Sequence, residues 1–277
     1  MWISKNTIKE LSANIRSIID GKEIDLRDNQ EGEWGILKND IHTLAHHKSE
    51  QMDVLQKERA HMADTLVNIS HQIKTPLTSM LIMADLLEDA PAHKQAEFLS
   101  NIKAGLLRME WFASALLKIA KLDAGAVEFT ASKLTVVTLT NLALEPLQIL
   151  LDIKNQKVIV TQDIEITCDK RWTCEALGNL IKNASEVSPA GSTIYIKSGA
   201  NPICKWVSVI DNGPGIEREK TYKLFRRFEG SASDKGYGIG LPLALAIMRG
   251  QNGDVEVDGG KGHGTKPGAT FTLKFYK

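Results

Sequence analysis

The chain has 277 residues, 43% of them hydrophobic and 25% charged, and its 34 basic side chains balance 34 acidic ones. That is the composition of an ordinary globular protein of about two domains, and with zero net charge nothing suggests a basic nucleic-acid surface or a polybasic membrane tether. Cys168, Cys174 and Cys204 show no metal-ligand spacing and cannot all pair, which fits a reduced, cytosolic compartment. No apolar run approaches the roughly 18 residues of a membrane span: the longest candidate, 80–87, is broken by Asp85. Ser4, Lys5 and Asn6 follow Met1 at once, so no signal peptide is expected. The chain reads as a soluble protein or as the soluble part of a membrane protein.

The first half reads as helical. Ile8, Leu11, Ile15 and Ile18 recur at alternating three and four spacing until Gly21, and a polar stretch runs on to Gly35. Leu37, Ile41 and Leu44 begin a second heptad-like run. Such narrow seams specify helix-to-helix packing. Over 66–87 the seam is Leu66, Ile69, Ile73, Leu77, Met80, Ala84 and Leu87. Pro76 cannot donate to the Gln72 carbonyl four residues back, so a local bend or loosening is expected beside His71. Asp89-Ala-Pro91 reads as a turn. The next helix carries Phe98, Ile102, Leu106, Met109, Phe112, Leu116 and Ile119 and ends near Ala124-Gly125. A two-helix hairpin cannot bury its seam alone, and two copies forming a four-helix bundle is the simplest solution.

Beyond Gly125 the character changes to β-rich segments at 134–139, 157–160, 193–198, 205–210 and 270–275. Helical segments at 171–184 and 241–249 lie among them. Strands mixed with helices and glycine-rich turns predict an α/β sandwich of about 150 residues. The fold class is therefore α+β and multidomain, with boundaries at 1–58, 59–125 and 126–277.

Among seven histidines, His71 stands off its helix seam with Thr75 one turn on, and imidazole suits nucleophilic work near neutrality. The segment Asn68-Ile-Ser-His71-Gln-Ile-Lys-Thr75-Pro76 resembles the phosphoacceptor box of sensor histidine kinases. Further blocks follow in that family's order. Asp169 through Glu175, Asn179 and Asn183 resembles its N box. Asp211-Asn-Gly213-Pro-Gly215 resembles the adenine box, and Leu224-Phe-Arg-Arg227-Phe228 the F box. Gly236-Tyr-Gly238-Ile-Gly240-Leu241 resembles the second glycine box, and Pro267-Gly-Ala-Thr270-Phe271 the closing block. The segments Gly21-Lys-Glu-Ile-Asp-Leu26 and Glu33-Trp-Gly-Ile-Leu37 resemble, more loosely, a HAMP signalling module.

The resemblance implies a homodimeric kinase with an ATP-binding domain of the GHKL type, the cytoplasmic portion of a membrane sensor. It implies that His71 receives the γ-phosphoryl of Mg-ATP and passes it to an aspartate of a response regulator, and that the same bundle can dephosphorylate that partner, with Gln72 and Thr75 orienting water. Asn179 and Asn183, four apart on a helix, face the same way and offer hard oxygens to Mg²⁺, with Glu175 one turn earlier. Asp211 ends an apolar strand, where a carboxylate can accept a hydrogen bond from the adenine amino group. Gly213 and Gly215 let backbone approach a flat base. Gly236, Gly238 and Gly240 can present N–H groups to phosphates, ahead of a helix whose first turn holds Leu241 and Pro242. Thr270 belongs to the closing block, and Arg227 falls where the family places a basic residue near the transferred group. Departures are Gln72, where an acidic residue is usual, Glu186 and Val187 in place of a lysine and an aromatic, and a lid of seven residues. A clamp ATPase without histidine chemistry and a pseudokinase scaffold are the rival readings. His42, His46 and His47 read as a solvated helix face.

Overall fold

A computed structural model describes residues 5–19, 33–88, 90–228, 238–260 and 267–277. The expected connector 21–26, Asp89, the lid and Gly236 lie outside the described residues. The chain divides into two compact units, Met1–Val67 and Asn68–Lys277. In the first, helix α1 (Lys5–Ile19) buries Leu11 of the anticipated seam while Ile8 is exposed, and the long helix α2 (Glu33–Glu88) begins. Ile36, Leu44, Met52 and Leu55 are exposed along α2. His46 and His47 both turn toward the carboxylate of Glu50, at 3.5 and 3.6 Å.

In the second unit α2 runs on through Pro76 without interruption. It forms a hairpin with α3 (Ala92–Asp123), which Pro91 enters with φ −58° and which gives way to Ala124 and the left-handed Gly125 at φ +62°. The helices approach closely because residue 105 has no side chain: a Cβ there would lie 2.6 Å from the Met80 sulfur. Met80 is buried as expected. Phe112 and Ile119, expected in the bundle seam, instead join the core of the following domain with Ala115.

That domain is an α/β fold. Strands β1 (Ala131–Thr135) and β3 (Glu165–Asp169) pair antiparallel in a small sheet. The main sheet has the order β2-β4-β5-β7-β6, from β2 (Lys157–Val160), β4 (Thr193–Ala200), β5 (Cys204–Ile210), β6 (Gly253–Asp258) and β7 (Thr270–Tyr276). Only β2 and β4 run parallel. Burial alternates along β4 and β7, the signature of a sheet covered on one face. Ile194, Ile196, Val209, Phe271 and Leu273 share one core with helices α4 (Val136–Leu144), α6 (Lys170–Val187) and α7 (Gly240–Gly250). Gly199 faces Trp206 across the β4–β5 pair, and the indole covers the space a side chain would need.

The strand expected over 134–139 ends at Thr135, because that residue caps α4: its hydroxyl accepts the Thr138 N–H at 3.2 Å. Val136, Leu139, Thr140 and Ala143 are then buried at helical spacing, a burial a strand would not produce. The run 136–153 has the length and hydropathy of a membrane span. It is broken around Pro146 into α4, a 3₁₀ turn and α5 (Gln148–Ile153), and α4 buries its apolar side in the domain core.

Candidate functional site

Asp169 starts α6: one carboxylate oxygen accepts the Trp172 N–H at 3.0 Å, the N-cap bond. Its other oxygen accepts the Thr130 N–H at 2.8 Å, which ties the helix start to the chain entering β1. Further along α6, Asn179 donates through Nδ2 to the Glu175 carbonyl at 3.0 Å, leaving Oδ1 against Gly240. A Cβ on Gly240 would come within 3.3 Å of that oxygen, a tight contact to which the carboxamide would have to yield. Asn183, one turn on, is half-buried, and among the described residues no hydrogen bond engages its carboxamide.

Asn183 and Asp211 lie on the wall of one open cleft between α6 and the ends of β5 and β7. Val187, Ile216, Leu224, Ala269 and Phe271 form its apolar sides, and Pro214 and Gly215 complete it. Asp211 is 2% exposed. Its Oδ1 accepts the N–H of Gly213 and that of Ala269, both at 2.9 Å. No described partner takes Oδ2. Burial holds the carboxyl above the usual carboxylate range, and the two N–H bonds oppose that rise. Gly215 adopts φ +81°, and a Cβ there would stand 2.8 Å from the Gly259 carbonyl, which accepts the Ile216 N–H at 2.7 Å. A Cβ on Gly213 would meet Val187 at 2.9 Å.

At the other side, Gly238 has φ +63° and its carbonyl accepts the Phe228 N–H at 3.2 Å. Gly240 and Leu241 open α7 with no side-chain cap at Ile239, and Pro242 falls in the first turn. Thr270 sits in β7 opposite Ile210 and Asp258. Gly236 lies outside the described residues.

Five predicted positions stand elsewhere or make other contacts. The Glu175 carboxylate pairs with Lys118 of α3 at 2.8 Å. Arg227 holds both oxygens of Asp123, the last residue of α3, at 2.8 and 2.6 Å. His71, Gln72 and Thr75 lie on α2, and none of them lines the cleft. His71 is exposed, and the Thr75 hydroxyl donates to the His71 carbonyl at 3.2 Å. Lys182 sits 4.4 Å over the Trp111 ring, and Phe112 is 6.4 Å from Phe228. The apolar walls Leu224 and Phe271 escaped the reading of single residues, although each lies inside a block that pointed to the site. All three cysteines are free, and burial pushes the Cys168 thiol up to about 11.

Residues 168–277 match the histidine kinase-, DNA gyrase B- and HSP90-like ATPases, and residues 62–125 match the His Kinase A phospho-acceptor domain. The chain is 30% identical over 217 residues to the heme sensor protein HssS of Staphylococcus saprophyticus, covering 76% of this chain and 45% of that protein. To the sensor histidine kinase WalK of Bacillus subtilis it is 28% identical over 240 residues, covering 80% and 38%. It thus spans under half the length of these two relatives. In fold it is similar to the histidine kinase ThkA, solved in complex with the response regulator protein TrrA. That likeness has a TM-score of 0.64 and 18% identity, over 83% of this chain and 66% of that one. A phosphoacceptor hairpin followed by this ATPase domain places the chain in the histidine kinase family of two-component systems.

Proposed function

We propose that this chain binds Mg-ATP in the cleft, transfers the γ-phosphoryl group to His71, and passes it on to an aspartate of a response regulator. Asp211 carries the reading: a buried carboxylate with one oxygen held by two backbone N–H groups and the other left for the cleft. An adenine amino group is the donor that such an acceptor suits. The apolar walls from Val187, Ile216 and Phe271 suit the flat faces of the base. The uncapped first turn of α7 offers N–H groups to anionic oxygens. Asn183, with no hydrogen-bond partner among the described residues, fits Mg²⁺ as a hard oxygen ligand, and the Asn179 Oδ1 is a second. The ion would neutralise charge on the phosphates. A ring nitrogen of His71 attacks the γ-phosphorus in line while the bond to the bridging oxygen breaks, and ADP leaves. Positioning and electrostatics supply most of the catalysis.

Gln72 accepts a hydrogen bond from the second ring N–H of His71, and with Thr75 orients water when the partner is dephosphorylated. Leu77, Leu81, Leu86, Leu99, Leu106 and Leu117 are exposed along the hairpin. A second copy covers them in a four-helix bundle. The first 58 residues serve as a HAMP-like signalling segment, and the whole is the cytoplasmic portion of a membrane sensor. ThkA, bound to its response regulator, shares the fold and makes such a partner the natural acceptor.

Incubation with γ-labelled ATP tests the reading. Label should survive alkali, be lost in acid, and be absent in His71→Gln while nucleotide binding persists. Label retained in that variant overturns the assignment.

A further inference from the structure

We propose that Gln156 is a positioning residue for nucleotide binding, holding the α6 wall of the cleft against the loop that carries Asp211; this rests on the reading of the cleft as the ATP site. Gln156 precedes the edge strand β2, outside every block that resembles the family, and is 6% exposed. Its Oε1 accepts the Ser185 hydroxyl at 2.6 Å. Its Nε2 reaches the carbonyls of Ser185, Ser188 and Pro189 at 3.2, 3.1 and 3.1 Å. Two amide hydrogens thus serve the Ser185 and Ser188 carbonyls, which the end of α6 leaves without intrahelical donors, and that of Pro189 just beyond the helix. Lys154 adds its ammonium at 2.6 Å from the Ser185 carbonyl and 3.2 Å from that of Glu186, a cation at the negative end of the helix.

The clasp does more than finish a helix, because the clasped turn is itself the cleft wall. Asn183 lies immediately before it, and Val187 lies between Ser185 and Ser188. Val187 abuts the backbone of Gly213, where no Cβ would fit. The Ser188 hydroxyl accepts the Asn212 N–H at 3.1 Å, and Asn212 donates through Nδ2 to the Thr193 carbonyl at 2.6 Å. Asn212 stands between Asp211 and the Gly213 N–H that holds the Asp211 carboxylate. Gln156 therefore holds the Ser188 carbonyl, the Ser188 hydroxyl holds the Asn212 N–H, and the backbone next to Asn212 carries the N–H that fixes the Asp211 carboxylate, the group that reads adenine. Loosening it shifts Asn183 and Val187 relative to Asp211, which misplaces the binding site without touching His71.

The test uses the full chain with Gln156→Met, which keeps the length and removes the amide, and Ser188→Ala, which removes only the link to Asn212. In Gln156→Met the ATP affinity and 1/KM should fall about 10- to 100-fold. The kcat at saturating ATP should stay within about threefold, and the preference for ATP over GTP should narrow. Ser188→Ala should move in the same direction by a smaller factor. Unchanged affinity and unchanged discrimination in folded variants overturn the proposal, as does a loss of kcat that tracks the unfolded fraction. Should Gln156→Met fail to fold by circular dichroism, the Ser188→Ala result decides on the same criteria. Asp211→Asn is the control for the underlying reading. If wild type binds no ATP, or Asp211→Asn binds it normally, the ATP site itself is wrong. If the control loses binding while Gln156→Met and Ser188→Ala keep it, only the positioning role falls.

Discussion

Burying the Asp211 carboxylate costs the native state free energy unless something else stabilises the charge, and here two backbone N–H bonds offset only part of the cost. Its pKa is raised on folding, so the linked stabilisation belongs to the protonated form. That stabilisation is complete below the ordinary carboxylate range and is lost as pH rises through the raised value. At a pH above that raised value the native state therefore carries an ionised Asp211 at a net penalty. In Asp211→Asn the amide oxygen can still accept both N–H bonds, so thermal stability at that pH should equal or exceed wild type, and the difference should shrink toward acid. ATP affinity should meanwhile drop about tenfold or more, the usual loss when a hydrogen bond to a charged group goes. Differential scanning calorimetry beside ATP titration reads both, and a variant that is less stable yet binds normally contradicts the assignment. Asn183→Ala should behave otherwise, with weakened ATP binding in the presence of Mg²⁺ and nearly unchanged binding in its absence. Both residues were legible as motif positions. The pairing of Arg227 with Asp123 was not, since 104 residues separate them and nothing local links an F-box arginine to a helix end.

Helix α6 shows which elements the sequence makes legible. Its predicted range, 171–184, lies inside the observed Lys170–Val187, because a cap, an apolar stripe and a stop all coincide. Strands at 157–160, 193–198, 205–210 and 270–275 were equally plain, each apolar and β-branched over a strand's length. Two were missed. β3 reads Glu-Ile-Thr-Cys-Asp and β6 reads Gly-Asp-Val-Glu-Val-Asp; both are short, half-polar strands whose identity comes from tertiary pairing. The opposite error at 134–139 has the same origin, since Val136 and Val137 favour strands in isolation while the core selects a helix. For α6 the consequence of a cap is measurable. Asp169→Ala removes the bond to Trp172, worth about 0.5–2 kcal/mol, and with it the Thr130 bond. The midpoint of urea unfolding should fall accordingly, and ATP affinity should fall with it because Asn179 and Asn183 ride on this helix. A midpoint within error of wild type shows that the second carboxylate contact of Asp169 is also dispensable.

Across the unit Asn68–Lys277, the hairpin and the α/β domain are engaged with one another. Phe112, Ala115 and Ile119 of α3 are buried in the core of the α/β domain, Lys118 holds Glu175, Asp123 holds Arg227, and His71 does not line the cleft. For the proposed transfer, the α/β domain must release α3 so that the bound γ-phosphoryl group can reach a His71 ring. The apolar contacts set most of that cost, but cutting them also damages the hairpin: truncating a buried phenylalanine typically costs about 3–5 kcal/mol. The ion pairs are cleaner levers. The Arg227 and Asp123 side chains are 34% and 47% exposed, so their pair should contribute about 0.2–1 kcal/mol to the packed arrangement. Removing Arg227 would confound release with loss of a group proposed to act on the phosphates, so the change belongs on the other partner. Asp123→Asn keeps the shape of residue 123, leaves Arg227 in place, and should raise the initial rate of autophosphorylation by up to about fivefold at saturating Mg-ATP. Lys118→Met frees the Glu175 carboxylate and should act in the same direction. Higher ionic strength should raise the wild-type rate relative to Asp123→Asn, because salt screens a half-exposed pair that the variant no longer has. Single-turnover labelling of the two proteins at low and high salt makes the measurement. A rate in Asp123→Asn equal to or below wild type at both salts would show that Asp123 does not restrain the domain.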